Sequence, residues 1–439
     1  MFTHARVVAG TVVRRLAWCF LFALATCGDP AGPLFVDRAL PTPGDTLFSA
    51  VVSSDSHSCA LTTGGRAFCW GSGRLGQLGT GSIPGPCAGE PATSPAFCVD
   101  VPTPVAGGLR FTRLAAGGWS TCGITPSGRL YCWGGIGWSL PGSNAPVPVG
   151  GAMRFSDVNV RDFICAIGTD GKTYCWGDNS YGRLGIPIGT SVTLDEARPI
   201  EGAPAFATIR STVWEGCGTT TGSTLHCWGG NVDTTMFEKG DAVLASCQFG
   251  KSMLPCTHVP LKMRGAEQWS RRTTDVNSCA ITTGGGASCW RSAFSEWGGA
   301  PFGRSTSSPA TLEAGPRPLP LVLPTPIRDI VGAPAFHGAC AHAVDGRVVC
   351  WGESAAGQFG TGVVQESFAV PTVVAGGRSF AQLSAGSTFM CGLTNGGDVM
   401  CWGDASRGVV GTGTIVPANF MDRRPVTIPT RVASIAGKE

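Results

Sequence analysis

Seven times in 439 residues the chain repeats one pattern: a cysteine, nine intervening residues, a second cysteine and a tryptophan. The copies are CALTTGGRAFCWG from Cys59, CGITPSGRLYCWG from Cys122, CAIGTDGKTYCWG from Cys165, CGTTTGSTLHCWG from Cys217, CAITTGGGASCWR from Cys279, CAHAVDGRVVCWG from Cys340 and CGLTNGGDVMCWG from Cys391. A self-similar unit is one supersecondary element whose apolar face is covered by its neighbours, so seven copies imply one repetitive domain where this length would otherwise hold two or three. First cysteines lie 43 to 63 residues apart, a unit near 51 residues with insertions and one deletion.

In CALTTGGRAFC, folding the chain symmetrically about Gly64 sets Ala60 against Phe68, Leu61 against Ala67 and Cys59 against Cys69. An even separation makes the two cysteines direct neighbours in an antiparallel hairpin, and its narrow pairs approach closely enough for a disulfide. Glycine at or beside the apex supplies the positive φ that such turns need. The same folding pairs Cys122 with Cys132, Cys165 with Cys175, Cys217 with Cys227, Cys279 with Cys289, Cys340 with Cys350 and Cys391 with Cys401. By the loop-entropy argument each bridge contributes about 2–3 kcal/mol. Zinc fits poorly, because zinc ribbons use close thiolate pairs separated by two residues and this chain has none. No metal and no other cofactor is expected. Trp70, Trp133, Trp176, Trp228, Trp290, Trp351 and Trp402 each follow a second cysteine, so strand alternation points them to the face opposite the cystine, where they are expected to fill sheet-to-sheet interfaces.

A short strand led by a large apolar residue precedes each hairpin, as in FTRLAAG from Phe111, FSDVNV from Phe155, FATIRS from Phe206 and FAQLSAG from Phe380. A glycine-rich loop and a Pro-Val strand follow it, as in VPTPVAGG from Val101, APVPVGG from Ala145 and VPTVVAGG from Val370. Four strands per repeat make a propeller blade, so the expected fold is all-β: a seven-bladed β-propeller of four-stranded blades with one cross-strand disulfide per blade. The 65 glycines and 31 prolines agree with short strands joined by many turns. The segments GSGRLGQLGTG (Gly71 to Gly81), GDNSYGRLG (Gly177 to Gly185) and GESAAGQFGTG (Gly352 to Gly362) resemble repeats of the regulator of chromosome condensation family over about residues 47 to 433. The chain looks like that family's bacterial, cysteine-bearing, exported branch. The resemblance implies a seven-bladed propeller whose partners are mostly proteins: eukaryotic relatives include a nucleotide exchange factor for a small GTPase, and a bacterial relative inhibits a β-lactamase. Repeat two departs by a curtailed glycine-rich loop, and repeat five by Arg291 where glycine would follow Trp290.

At the N-terminus, Arg6, Arg14 and Arg15 precede an apolar run from Leu16 to Ala25 that is too short to span a bilayer and reads as a secretory signal peptide. Ala23-Leu24-Ala25 is an A-x-A cleavage site, while Leu24-Ala25-Thr26-Cys27 resembles a lipobox, in which Cys27 would be lipidated. Parity favours the second reading. Cys19 leaves with the signal, and the seven hairpin pairs together with Cys87 and Cys98, and Cys247 and Cys256, use all the others, so Cys27 has no partner unless lipid caps it. The expected organisation is a signal peptide over 1–26, a linker over 27–46 and the propeller over 47–439. The expected location is a bacterial envelope through a lipid anchor, or the space outside the cell.

Successive strands of a blade reverse direction, so the connection from first to second strand and the connection from third to fourth share one face. Every large insertion falls in the latter: Cys87 to Cys98, Cys247 to Cys256 and the proline-rich run from Ser292 to Pro326. Just before the first cysteines stand His57, Trp119, Phe163, Trp214, Glu215, Asn277, His337 and Phe389, varied and often large. Varied loops with aromatics on a rigid scaffold suit a protein-binding surface, for an inhibitor or an adhesin, and these residues are its candidate anchors. Nucleic acid is not an expected partner, because +3 net charge with 14% charged residues offers no basic stripe. A monomer is expected. Catalysis lacks a motif: no H-E-x-x-H, G-x-S-x-G or Walker loop occurs, and His226 and His342 read as structural strand residues. An enzyme acting on envelope or extracellular polysaccharide at the channel mouth is the alternative, and it would need paired carboxylates there.

Overall fold

The computed structural model describes residues 46–87, 97–135, 142–188, 198–212, 214–230, 236–240, 242, 244–249, 252–265, 267–272, 277–291, 319–320, 326–333, 338–413 and 425–435. The signal peptide, Cys27, His337 and most of the proline-rich insertion lie outside them. Every repeat folds with the register that its symmetry predicts: Cys59 faces Cys69, Ala60 faces Phe68 and Leu61 faces Ala67, and the other six cysteine pairs also sit directly opposite one another. Cys59–Cys69, Cys122–Cys132, Cys165–Cys175, Cys217–Cys227, Cys340–Cys350 and Cys391–Cys401 are disulfides with Cα atoms 4.0–4.1 Å apart. Cys87–Cys98 and Cys247–Cys256 are bridged as well.

The architecture is an all-β propeller whose described strands form seven sheets. The inner strands are Phe48–Ser53, Arg113–Gly117, Phe155–Val160, Phe206–Ser211, Trp269–Arg272, Ile327–Ala333 and Phe380–Ala385. Each pairs with the first strand of its cystine hairpin. Outer strands close six sheets: Cys98–Pro104, Ser143–Val149, Ser252–Met263, Leu319–Pro320, Ser367–Val373 and Val426–Arg431. The third sheet has three described strands, with an isolated bridge from Tyr174 to Pro199 beyond them, so six blades are complete among the described residues. Proline interrupts each of the six outer strands, for example at Pro102, Pro146, Pro260, Pro371 and Pro429, which denies edge donors to a pairing strand.

Adjacent sheets are joined by one recurring bond. The large apolar residue at or just before the start of an inner strand donates its amide to the hairpin turn of the preceding sheet: Phe111 to Gly65, Phe155 to Gly128, Trp269 to Ser223, Ile327 to Gly285, Phe380 to Gly346 and Phe48 to Gly397, at 2.8–3.1 Å. The last of these ties sheet seven back to sheet one, and neither sheet lends a strand to the other.

The tryptophans fill the joins as expected: Trp70, Trp133, Trp176, Trp228, Trp351 and Trp402 are wholly buried. In three of the joins the glycine-rich loop of the preceding blade also holds the indole by a hydrogen bond. Trp70 Nε1 donates to the Val409 carbonyl, Trp228 Nε1 to Arg183 and Trp402 Nε1 to Gln358, each at 2.9 Å. The next loop residue, Val410, Leu184 or Phe359, is buried beside it, and the glycine after that lies flat on the indole in two of these joins: a Cβ on Gly411 would stand 2.7 Å from Trp70 Nε1. The loop repeats are therefore clasps between blades.

The glycine after each tryptophan has its own reason. Gly403 has φ +111°, and a Cβ there would lie 2.5 Å from the Thr388 carbonyl oxygen and 2.6 Å from Phe389 Cα, since the start of the second strand crosses it. Gly403→Ala should cost about 2–3 kcal/mol, combining left-handed strain with backbone displacement. Urea unfolding checks this, and a loss below about 0.5 kcal/mol, the range of an ordinary surface substitution, would refute the stated cause.

Candidate functional site: the loop face

The turns from first to second strand and the loops after the third strand meet on one side. Gly135 donates to the Trp119 carbonyl at 2.9 Å, Gly230 to Trp214 at 2.8 Å, Ser72 to Ser56 at 2.8 Å and Asp404 to Thr388 at 3.0 Å. The candidate anchors separate here by strand parity. A residue two before the first cysteine opens the second strand, whereas Trp119 and Trp214, three before theirs, lie in the turn. His57, Phe163 and Phe389 are of the first kind, with 0%, 1% and 0% of their surface exposed, so they cannot contact a partner. Their expected role is corrected: they are core. Phe389 packs in the seam between sheets seven and one. His57 bonds Ser54 Oγ through Nδ1 and Thr121 Oγ1 through Nε2, each at 2.7 Å, and burial pushes its pKa down to about 3. Glu215 is half-buried at the head of its strand, and Asn277 opens the equivalent strand opposite Arg291.

Trp119 and Trp214 are of the second kind. Trp119 is 42% exposed. Trp214 is half-buried and meets Tyr181 edge to face at 5.2 Å, with Tyr181 supplied by the glycine-rich loop of the preceding blade. Both rings pack on the Cys247–Cys256 disulfide, which staples the inserted strand Ala245–Phe249 to the outer strand Ser252–Met263. Met253, near the tip of that insertion, is 59% exposed. Leu75, at the loop position in blade one that Tyr181 takes in blade three, is 46% exposed, and Gly135 lies between it and Trp119. Reasoning from the cysteines missed Leu75, Tyr181 and Met253. The first two had a signal, a large residue just before a glycine of the clasp loop; Met253 had none.

Behind this face runs the central channel, about 590 Å³ and lined by inner strands. Inner strands present a free edge, and much of the channel's polarity answers it. Val51 and Ser53 donate their amides to Gln382 Oε1 at 3.1 Å and Ser384 Oγ at 2.7 Å, Gln382 Nε2 returns a bond to the Val51 carbonyl at 2.9 Å, and Ser211 donates to Asn159 Oδ1 at 2.6 Å. Of the carboxylates, Asp157 is buried against Arg113 at 2.7 Å. Asp329 accepts the Ile330 amide at 3.0 Å. A hydrolase needs one acid proton-loaded and a second poised beside it; Asp157, held in an ion pair, has a structural task. His226 and His342 sit on strands and bond Thr224 Oγ1 at 3.1 Å and the Phe380 carbonyl at 2.8 Å, with burial lowering both pKa values. Glu215 lies close to the sulfurs of Cys217 and Cys227, but these are joined to each other and offer no thiolate to a metal.

Family models for the regulator of chromosome condensation (RCC1) repeat match residues 48–77, 64–124 and 380–409. Over those residues the chain carries regulator of chromosome condensation repeats. Mouse (Mus musculus) RCC1 domain-containing protein 1 is 35% identical over 89 residues, 20% of each chain. The mitochondrial RCC1 domain-containing protein RUG3 of Arabidopsis thaliana is 31% identical over 100 residues, 23% of this chain and 21% of that protein. The chain thus spans about one fifth of the length of these two relatives. Among solved structures, human WBSCR16 superposes with a TM-score of 0.64 at 18% identity, covering 84% of this chain and 94% of that one. Prp20p from Saccharomyces cerevisiae, described with its binding properties to Gsp1p and histones, superposes with a TM-score of 0.60 at 16% identity over 79% and 82%. At these identities the likeness is one of fold, and the fold is that of an RCC1 propeller.

Proposed function

We propose that this chain is an exported, non-catalytic protein-binding module, seven blades closed in one ring, that engages a partner through its loop face. The observation that carries the reading is the Tyr181–Trp214 pair seated on a disulfide-stapled insertion with Met253 exposed beyond it. Large rings held by packing and a covalent staple lose little entropy on docking, which is how hot spots gain affinity. Leu75 and Trp119 are exposed at the junction of blades one and two, two junctions from that pair, so a partner would span several blades. Prp20p, a propeller of the same fold, binds the proteins Gsp1p and histones, which supports a protein partner here.

Export is favoured by cysteine usage: eight disulfides occur among the described residues, and Cys279 faces Cys289 in register, so the cysteines from Cys59 to Cys401 are consumed in pairs. Cys27 is then the odd one, which favours a lipid anchor at a bacterial envelope over free secretion. Prolines along the outer strands favour a monomer.

The test is affinity capture from the source organism's envelope and culture fluid, comparing the intact protein with a Trp119→Ser, Trp214→Ser, Met253→Ser variant. Phe163 and Phe389 are left alone, since replacing buried rings would unfold the bait. The expected result is a partner held by the intact protein with at least a tenfold loss of affinity in the variant, at a similar melting temperature. Equal capture by both removes the loop face from consideration.

A further inference from the structure

Asn395-Gly396 is the one Asn-Gly step in the chain. It forms the tip of the hairpin turn of blade seven, whose base is fixed by backbone and side-chain bonds. Gly397 donates its amide to the Thr394 carbonyl at 3.1 Å, Thr394 to the Asp398 carbonyl at 2.9 Å and Asp398 to Thr394 Oγ1 at 3.1 Å. The tip itself is exposed, and among the described residues neither the Asn395 side chain nor the Gly396 amide has a hydrogen-bond partner. The space beside Gly396 is open: a Cβ there would meet only Thr394 Oγ1, at 3.8 Å. The other described asparagines differ. Asn179 is buried with both ends of its amide bonded, to Ile186, Pro187 and Leu184, Asn159 accepts from Ser211, and Asn144 and Asn277 precede residues with side chains.

The same turn closes the ring. Phe48 donates its amide to the Gly397 carbonyl at 2.9 Å, and Leu47 Cβ lies 3.0 Å from where a Cβ on Gly397 would stand, so blade one rests on the residue after the tip. We infer that Asn395 is a self-modifying site, at which the Gly396 amide cyclises onto the asparagine side chain and the product loosens the seam between blades seven and one. The Gly396 nitrogen gives its proton to solvent base and attacks Asn395 Cγ; the Cγ–Nδ2 bond breaks and ammonia leaves with a proton. Water then opens the cyclic imide at one of its two carbonyls. Attack at Cγ gives aspartate, and attack at the main-chain carbonyl gives isoaspartate, which routes the chain through Cβ and lengthens the backbone just before Gly397. Either product sets a new carboxylate in the same turn as Asp398. Glycine favours the first step because a side chain would crowd the attacking nitrogen, and an exposed tip is free to make the approach.

The intact protein is held folded at mildly alkaline pH in heavy-oxygen water, and its peptides are followed by mass spectrometry. The expected result is conversion at Asn395 at least tenfold faster than at Asn144, Asn159, Asn179 or Asn277, with a solvent oxygen taken up in each event and a rate that rises with pH. Gly396→Val, whose added side chain has room beside the turn, should slow conversion at least tenfold, and Asn395→Ser should abolish it. The melting temperature of the intact protein should fall in step with the converted fraction, while Asn395→Ser incubated alongside keeps its own. Retention of the amide in the folded protein over a time in which the urea-unfolded chain converts, or an equal rate in Gly396→Val, would overturn the site. A melting temperature that ignores the converted fraction would overturn its effect on the seam.

Discussion

Trp70→Ala should destabilise the protein by about 3–5 kcal/mol, the range for emptying a buried indole site. Trp70 is wholly buried between blades one and seven, in a seam with Phe48, Phe68, Phe389, Val409 and Val410. Its Nε1 also satisfies the Val409 carbonyl at 2.9 Å. Alanine would leave that carbonyl without its donor and open a cavity against Gly411. The position matters as much as the volume. At this seam the two ends of the propeller meet without exchanging a strand, held by side-chain packing, the Phe48–Gly397 bond and the Gln382 and Ser384 bonds to Val51 and Ser53. Urea unfolding measures the loss, and limited proteolysis should show new cuts near both ends of the propeller. A change under about 1 kcal/mol, far below the range for such a cavity, would mean that the seam is not held as described.

The second large effect is a pH dependence carried by His57. Burial holds its folded pKa at about 3, against 6.5 for the free side chain. The imidazole is therefore neutral when folded, shared between Ser54 Oγ and Thr121 Oγ1. As pH falls below the unfolded value, the unfolded chain takes up a proton that the folded protein refuses. The stabilisation is thus complete above about pH 6.5 and is lost as pH falls towards 3, at about 1.4 kcal/mol per unit once the unfolded imidazole is fully protonated. Stability of the intact protein and of His57→Gln, measured from pH 7.5 to 4.5, should differ by about 2–3 kcal/mol in how far they fall, the variant being flatter. Comparing the two cancels the contributions of His226, His342 and the carboxylates. Parallel curves would sink the assignment.

Much of this was legible in the residues alone. An even spacing between cysteines and a glycine apex determine which residues face each other, because strand side chains alternate with a period of two; that determined the hairpin registers, the paired cystines and the burial of the tryptophans. Seven copies of one unit implied a propeller, since a single blade cannot cover both of its faces. The same alternation also separates Trp119 and Trp214 from His57, Phe163 and Phe389, but only once it is known which side of the second strand the neighbouring blade covers. That is a matter of packing between residues more than a hundred apart in some cases, such as Phe389 against Trp70. Tertiary structure alone decided the rest. The glycine-rich loops became clasps because the next blade brings an indole beneath them. Gln382, Ser384 and Asn159 became staples because ring geometry leaves an inner edge of unpaired amides within their reach. Trp119 and Trp214 stand where a turn of one blade meets a loop of the one before, a juxtaposition that exists only when the blades are side by side.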